Sequence, residues 1–355
     1  MAFKIRDRLI GDGAPCYVTY EAGPTHSGLE SAKELVRLAA AAGADAVKFQ
    51  IFDPDRLVAD KKQPFSYEVL VDRATGELRT VSEPLYDILK RRSMSAAEWK
   101  EVKVVADEVG LAFFSTIGFP EDIDLLVEMG CDSVKIASAD VNHFPLIRLA
   151  AETGMCVQLD TGNSSLADIE RAVDVIVATG NEKIIIHQCP SGYPARVESI
   201  HLRMIQTMKA MFTFPVAFSD HTPGWDMDVA ALALGANLLE KTITKDRTIP
   251  SVEHVFSLEG ADMTRFIKTI REVEAAMGQT RRILSDEEIN RRNKLRRSLF
   301  AKRPLKAGQV VSLADIDFRR PGTGIQPDAL RLVEGRTLGK DVSEGQMLAL
   351  EDFLR

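Results

Sequence analysis

Eight short apolar runs, each ending in polar residues, recur along the first ~280 residues of the chain. They are Tyr17–Glu21, Ala46–Gln50, Leu111–Thr116, Ser133–Ser138, Met155–Asp160, Lys183–Gln188, Pro215–Asp220 and Asn237–Thr242. Each reads as a buried strand. Between them apolar residues return at helical spacing, as with Leu35, Leu38 and Ala39 in Leu29–Ala42, which stops at Gly43. Further helices are expected over Ala96–Val109, with Ser95 and Glu98 as a capping box, and over Pro120–Met129, Phe144–Thr153, Leu166–Thr179, Ser199–Met211, Asp226–Leu234 and Met263–Met277. Strand alternating with helix implies parallel strands. Eight such units match a closed (β/α)8 TIM barrel of the α/β class. An open doubly wound sheet is the competing topology, but no Gly-x-Gly-x-x-Gly follows the first strand.

Residues 53–92 break the rhythm. They are polar, contain Pro54, Pro64 and Pro84 and show no clear strand. They are expected to form a long excursion over the barrel mouth with short helices, in the manner of a lid. The last stretch differs again. Ser285–Arg297 is strongly charged and reads as a solvated helix or linker. Beyond it, Ser298-Leu-Phe-Ala, Gln309-Val-Val and Leu348-Ala-Leu alternate with Gly308, Gly322, Gly324, Gly335, Gly339 and Gly345. The predicted division is a barrel over 1–282, a charged linker over 283–297 and a small β-rich domain over 298–355, whose core is marginal for its size.

Composition narrows the class. Apolar residues make up 45% and charged residues 27%, and the net charge is −7. That balance argues against general nucleic-acid binding and leaves room for a local basic pocket. Cys16, Cys131, Cys156 and Cys189 are far apart, without metal-ligand spacing, which suggests packed thiols in a reduced cytoplasmic protein. The N-terminus shows no apolar signal-peptide core, and no stretch approaches the ~20 apolar residues of a membrane span.

In a barrel of parallel strands, reactive groups sit at the C-terminal strand ends. Here those ends offer Glu21 and His26, Lys48 and Gln50, Thr116, Lys135 with Ser138, Asp160, His187 and Gln188 with Tyr193, His221, and Glu240 with Lys241 and Thr242. Two lysines inside a barrel need anionic partners. They suit a ligand carrying phosphate and carboxylate. Pairing with Glu21 and Asp160, or a Schiff-base lysine, stays open on this reading. His221 can serve as base, acid, metal ligand or simple strand-end cap.

Taken together the motifs resemble those of the sialic acid synthase family. Glu21-Ala-Gly-Pro-Thr-His26-Ser-Gly is similar to its opening motif. Val-Lys48-Phe-Gln50, Phe-Ser-Thr116, Val-Lys135-Ile-Ala-Ser138, Tyr193-Pro, Ser-Asp-His221-Thr and Leu-Glu-Lys241 follow in the family's order. Arg-Arg-Ser298-Leu-Phe-Ala and Arg319-Arg-Pro-Gly-Thr-Gly-Ile resemble its C-terminal antifreeze-like (SAF) domain. The resemblance implies condensation of phosphoenolpyruvate with the open-chain aldehyde of a 2-acetamido sugar, giving a nonulosonic acid of sialic, legionaminic or pseudaminic type and releasing phosphate. By position, Lys48, Thr116, Lys135 and Ser138 would hold phosphoenolpyruvate. Gln50, Ser191 and Tyr193 would contact sugar and phosphate, and Glu21 would act at the reacting centre. His221 would bind a divalent metal, Mn²⁺ in the family. Two chains would pair as a domain-swapped homodimer, with Arg320, or its neighbour Arg319, reaching the partner's sugar. One departure matters. The family's second metal-binding histidine falls at Thr242, and a threonine hydroxyl is a poor ligand for Mn²⁺. A Schiff-base aldolase and a non-catalytic sugar-binding protein are the competing functions.

Overall fold

The computed structural model describes residues 2–354, and two compact units divide the chain at Met277/Gly278. In the first, eight parallel strands close on themselves. They are β1 (Tyr17–Glu21), β2 (Ala46–Gln50), β3 (Ala112–Ile117), β4 (Ser133–Ile136), β5 (Cys156–Asp160), β6 (Ile184–Gln188), β7 (Val216–Asp220) and β8 (Leu238–Thr244). Each pairs with its neighbours in chain order, and β8 also pairs with β1, so the sheet is a closed barrel and not an open one. The helices that follow them are α1 (Leu29–Ala42), α2 (Ala96–Glu108), α3 (Pro120–Glu128), α4 (Phe144–Glu152), α5 (Leu166–Val177), α6 (Met204–Met211), α7 (Asp226–Ala233) and α8 (Ala261–Met277). Ser95 caps α2 as expected, its Oγ accepting from the Glu98 N–H while Glu98 accepts from the Ser95 N–H at 2.8 Å.

Period-two alternation sorts the strand residues into two cores. Val18, Val47, Phe113, Val134, Val157, Ile186, Phe218 and Leu239 point outward and pack under the helices. The alternate residues fill the barrel. At its N-terminal end Tyr17, Ala46, Phe114, Cys156, Ile185, Ala217 and Leu238 form an apolar plug, closed by Ile5 and Ile10 of a short hairpin, Phe3–Ile5 with Arg8–Ile10. Above the plug the interior turns polar: Thr19, Lys48, Lys135, Gln158, His187, Ser219 and Glu240 are all buried. The plug raises this layer towards the C-terminal mouth and keeps water from its underside.

The 53–92 excursion holds the expected short helices, Pro54–Leu57 and Leu85–Lys90. It also contains an antiparallel hairpin, Pro64–Asp72 with Glu77–Pro84, where the sequence showed no clear strand. Glu77–Pro84 has no buried residue, so neither of its faces carries an apolar stripe that would reveal a strand. The Ser199–Met211 stretch is also less regular than expected. A single 3₁₀ turn, Val197–Ser199, precedes α6, which starts at Met204.

In the second unit the charged stretch is helical over Asp286–Leu295 and buries none of its residues. Ser298–Ala301 pairs with Ile316–Arg319, and Leu299, Leu305, Val311, Val333, Leu338, Val342, Leu348 and Phe353 make a compact core. All four cysteines are buried free thiols. Among the described residues no helix is long and apolar enough to cross a membrane.

Candidate active site

Glu21, Lys48, Gln50, Thr116, Ser138, Tyr193 and His221 meet at one cavity of about 260 Å³ at the C-terminal ends of the strands, together with Glu240 and Glu253. A larger surface cavity of about 800 Å³, lined by Thr161, Asn163, Ser191 and Arg203 among others, lies on the far side of Cys189. It contains none of the buried charges, so the smaller cavity is the candidate active site.

The floor of that cavity is an ion network. Lys135 is fully buried, and its Nζ donates to Glu240 Oε2 at 2.7 Å and lies 3.1 Å from Asp160 Oδ2. Lys48 Nζ donates to Glu240 Oε1 at 2.8 Å and pairs with Glu21. Glu240 thus bridges the two lysines from β8, with one oxygen on each. Burial alone would push the Lys48 ammonium down, but Glu21 and Glu240 outweigh it and hold Lys48 well above the ordinary lysine value. Burial would likewise raise Glu240, yet Lys135 and Lys48 keep it well below the usual carboxylate range. Burial wins at Asp160, whose carboxyl is pushed up despite Lys135. Beneath Asp160, His187 Nε2 lies 2.9 Å from Gln158 Oε1, and Gln158 donates to Ser133 Oγ at 2.8 Å. Burial and then Lys135 drive the His187 pKa well down, so this ring is neutral.

Glu21 is held from its own loop. The Gly23 N–H donates to Glu21 Oε1 at 2.6 Å. A Cβ at position 23 would lie 2.7 Å from Gln50 Cγ and 2.8 Å from the Gln50 backbone nitrogen, so only glycine lets this turn press against β2. Both Glu21 oxygens are therefore engaged, one by Gly23 and the other by Lys48.

The opposite wall is built by loops. His221, just past β7, places Nδ1 3.2 Å from the Pro190 carbonyl, and its ring packs on Tyr193 with centroids 4.6 Å apart. Burial lowers the His221 pKa to about 4, and it is neutral at pH 7. Thr242 Oγ1 donates to Glu253 Oε2 at 3.4 Å. Burial, reinforced by the neighbouring Glu21 carboxylate, pushes Glu253 up to about 8. His254, next to it, points elsewhere: its Nδ1 lies 2.7 Å from Thr244 Oγ1.

Three residues assigned to the site by resemblance do not line this cavity, and one of them, Lys135, lies fully buried in the ion network beneath it. Ser191 is exposed and donates to Asn163 Oδ1 at 2.7 Å in the larger cavity. Arg320 belongs to the second unit, where its Nε donates to the Leu295 carbonyl at 2.9 Å. Conversely, Glu253 and Arg92 received no role from the sequence, because Glu253 is in a loop beyond the eighth strand and Arg92 ends the polar 53–92 excursion, away from any strand end. The bridging position of Glu240 also emerges only once β7, β8 and β1 are adjacent.

The expected metal ligand His221 stands without a second imidazole, since position 242 carries a hydroxyl already directed at Glu253. The Glu21 and Glu240 oxygens are occupied by lysines and Gly23. Among the described residues no group of three His, Cys, Asp or Glu side chains is arranged to hold a metal ion. This donor set does not fit a divalent cation.

These features make it a (β/α)8 barrel protein with a cavity at the strand ends above a buried lysine–carboxylate network. The chain belongs to the NeuB family, which it matches over residues 35–282, and residues 296–354 match the SAF domain. It is 33% identical over 352 residues to an uncharacterised protein of Methanocaldococcus jannaschii, covering 99% of this chain and 98% of that one. It is 32% identical over 347 residues to the N,N'-diacetyllegionaminic acid synthase of Legionella pneumophila, covering 96% and 95%. The crystal structure of the N-acetylneuraminic acid synthetase of Leptospira borgpetersenii in complex with citrate superposes with a TM-score of 0.71 at 26% identity, over 83% of this chain and 97% of that one.

Proposed function

We propose that the protein is a carbon–carbon bond-forming synthase that condenses phosphoenolpyruvate with the aldehyde of a 2-acetamido sugar, yielding a nonulosonic acid and phosphate. The observation that carries this reading is the pair of buried lysines, Lys48 and Lys135, joined by Glu240 at the floor of the cavity. A ligand with phosphate and carboxylate groups is matched by two ammonium groups whose present partners are carboxylates, so binding exchanges one set of anions for another. Thr116 and Ser138 on the same rim add hydroxyl donors. Gln50 and Tyr193 border the space left for the sugar.

The Schiff-base alternative needs a neutral lysine amine as nucleophile. Glu21 and Glu240 hold Lys48 as an ammonium, which works against that chemistry. A purely sugar-binding role leaves the buried lysine pair without a purpose. The homodimer, with Arg320 of one copy at its partner's sugar, belongs to the same reading and is checked by sedimentation together with the kinetics of Arg320→Ala.

The deciding measurement is phosphate release from phosphoenolpyruvate against a panel of 2-acetamido sugars. Release that requires both substrates is expected. Trapping of a pyruvate adduct by borohydride, with no phosphate released, would replace this reading by the aldolase one.

A further inference from the structure

The 53–92 excursion carries a buried charge without a partner among the described residues. Arg92 follows the short helix Leu85–Lys90 and is only 7% exposed. Its Nε has no hydrogen-bond partner, and among the described residues no carboxylate forms an ion pair with it. A buried, unpaired guanidinium is rare, because an arginine stays charged and its burial is costly. Burial depresses its pKa, while Glu253 and Glu21 act in the opposite sense. Its charge also reaches His26 and His254. The fixed charge of Arg92 therefore acts on Glu253, whose carboxyl lines the cavity and is tied to Thr242.

Resting on the synthase reading above, we propose that the Glu253 carboxyl, fixed by Thr242 and backed by the Arg92 guanidinium, polarises and protonates the acceptor's carbonyl oxygen, so that this protein needs no divalent cation. Attack on an aldehyde builds negative charge on its oxygen, and a proton donor or a cation must meet it. Half-buried in the cavity wall, Glu253 has its pKa raised to about 8, so the protonated form predominates at neutral pH. Burial comes first among the causes and the Glu21 carboxylate second, against Arg92, Lys48 and the Thr242 hydroxyl. Once the proton has left, Arg92 stabilises the carboxylate that remains. A guanidinium at this place also repels a divalent ion.

The step balances. The vinyl carbon of phosphoenolpyruvate forms a bond to the aldehyde carbon, and the carbonyl electron pair moves to oxygen, which takes the Glu253 proton and becomes a hydroxyl. Water adds to the resulting oxocarbenium carbon and returns a proton to Glu253. The tetrahedral centre then collapses. Its bond to the phosphate oxygen breaks, the new hydroxyl becomes the keto group, and that hydroxyl's proton leaves with phosphate.

The test follows phosphate release with the sugar panel in EDTA and with added Mn²⁺, for wild type, Glu253→Gln, Arg92→Leu and Arg92→Lys. Turnover of wild type is expected to be unchanged by EDTA, and calorimetric titration of Mn²⁺ should give no binding heat. Glu253→Gln should lower kcat by roughly 10²–10⁴-fold, the usual worth of a positioned acid, with little change in KM for phosphoenolpyruvate. Arg92→Leu should move the alkaline limb of the kcat profile to higher pH, because the charge that lowers Glu253 is gone, and Arg92→Lys should move it back. A purely structural arginine would leave that limb in place. Turnover lost in EDTA and regained with Mn²⁺, or an unmoved profile in Arg92→Leu, overturns the proposal. No phosphate release from any sugar in either condition defeats the synthase reading, and the proposal falls with it.

Discussion

The two walls of the cavity solve opposite problems. On the lysine side each ammonium is answered by two carboxylates: Lys48 meets Glu21 and Glu240, and Lys135 meets Glu240 and Asp160, whose Oδ1 alone lacks a hydrogen-bond partner. All five groups come from strands or their first flanking residues, so the barrel itself sets their positions. On the other wall the Glu253 carboxyl is pushed up to about 8 and the His221 imidazole is lowered to about 4, and away from the lining residues the buried Arg92 Nε lacks a partner. Those groups sit on loops. A network in which each lysine bridges two carboxylates gives a rigid, preorganised floor, whereas uncompensated groups mark where charge is to move or a ligand is to be met.

The strongest way to break this comparison is to open the floor. Lys135→Ala leaves Glu240 and Asp160 facing each other in a dry interior, and the loss of one partner from a buried network costs about 3–5 kcal/mol. A drop of that size in the urea unfolding free energy is expected. A change under ~1 kcal/mol would mean that the network is not a coupled unit. Lys48→Ala lies nearer the mouth. It should weaken phosphoenolpyruvate binding about ten- to a hundredfold, the worth of a charge-assisted hydrogen bond at roughly 1.5–3 kcal/mol, as read by calorimetry. Unchanged affinity would make Lys48 a structural residue.

Buried titratable groups on the loops should show themselves in pH dependence, with two opposite signs. His26 packs edge-on against Phe49 and Trp99, and burial lowers its pKa to about 3. Below its unfolded value near 6.5 the unfolded chain takes up a proton that the folded chain refuses. Its contribution is therefore lost as pH falls from about 6.5 towards 3, by up to about 1.4 kcal/mol per pH unit. His26→Phe should flatten the acid side of the stability curve, and a curve parallel to wild type would contradict the neutral buried ring. Glu253 behaves in reverse, because its folded pKa of about 8 is raised. Its contribution is present below the unfolded value and is lost as pH rises through about 8. Glu253→Gln should thus gain stability relative to wild type as pH climbs, measured by thermal melts across that window. The smallest effect is expected at Thr242→Val, which removes one long hydrogen bond to Glu253. About 1 kcal/mol or less is at stake, and a larger loss would show that Thr242 supports more than this one contact.

Local pattern alone determined most of the frame. Strand and helix periodicity, with turns at Gly43, Gly130 and Gly154, placed all eight units within a few residues of β1–β8 and α1–α8, because each strand buries an outward apolar face under a helix. Polar residues at the strand ends singled out Glu21, Lys48, Lys135 and His221, since a barrel turns those ends into one mouth. The hairpin at 64–84 escaped because one of its strands is polar on both faces. Only the closed barrel decided that Glu240 reaches both lysines, for that requires β8 beside β1 and β7. Only the folded loops decided the rest of the site. Glu253 owes its proton to burial beside Glu21, and Arg92, written in the chain as one of a Lys-Arg-Arg cluster, owes its isolation to the interior that encloses it. Charge and burial at a point in space depend on neighbours distant in the chain, which no local run of residues encodes.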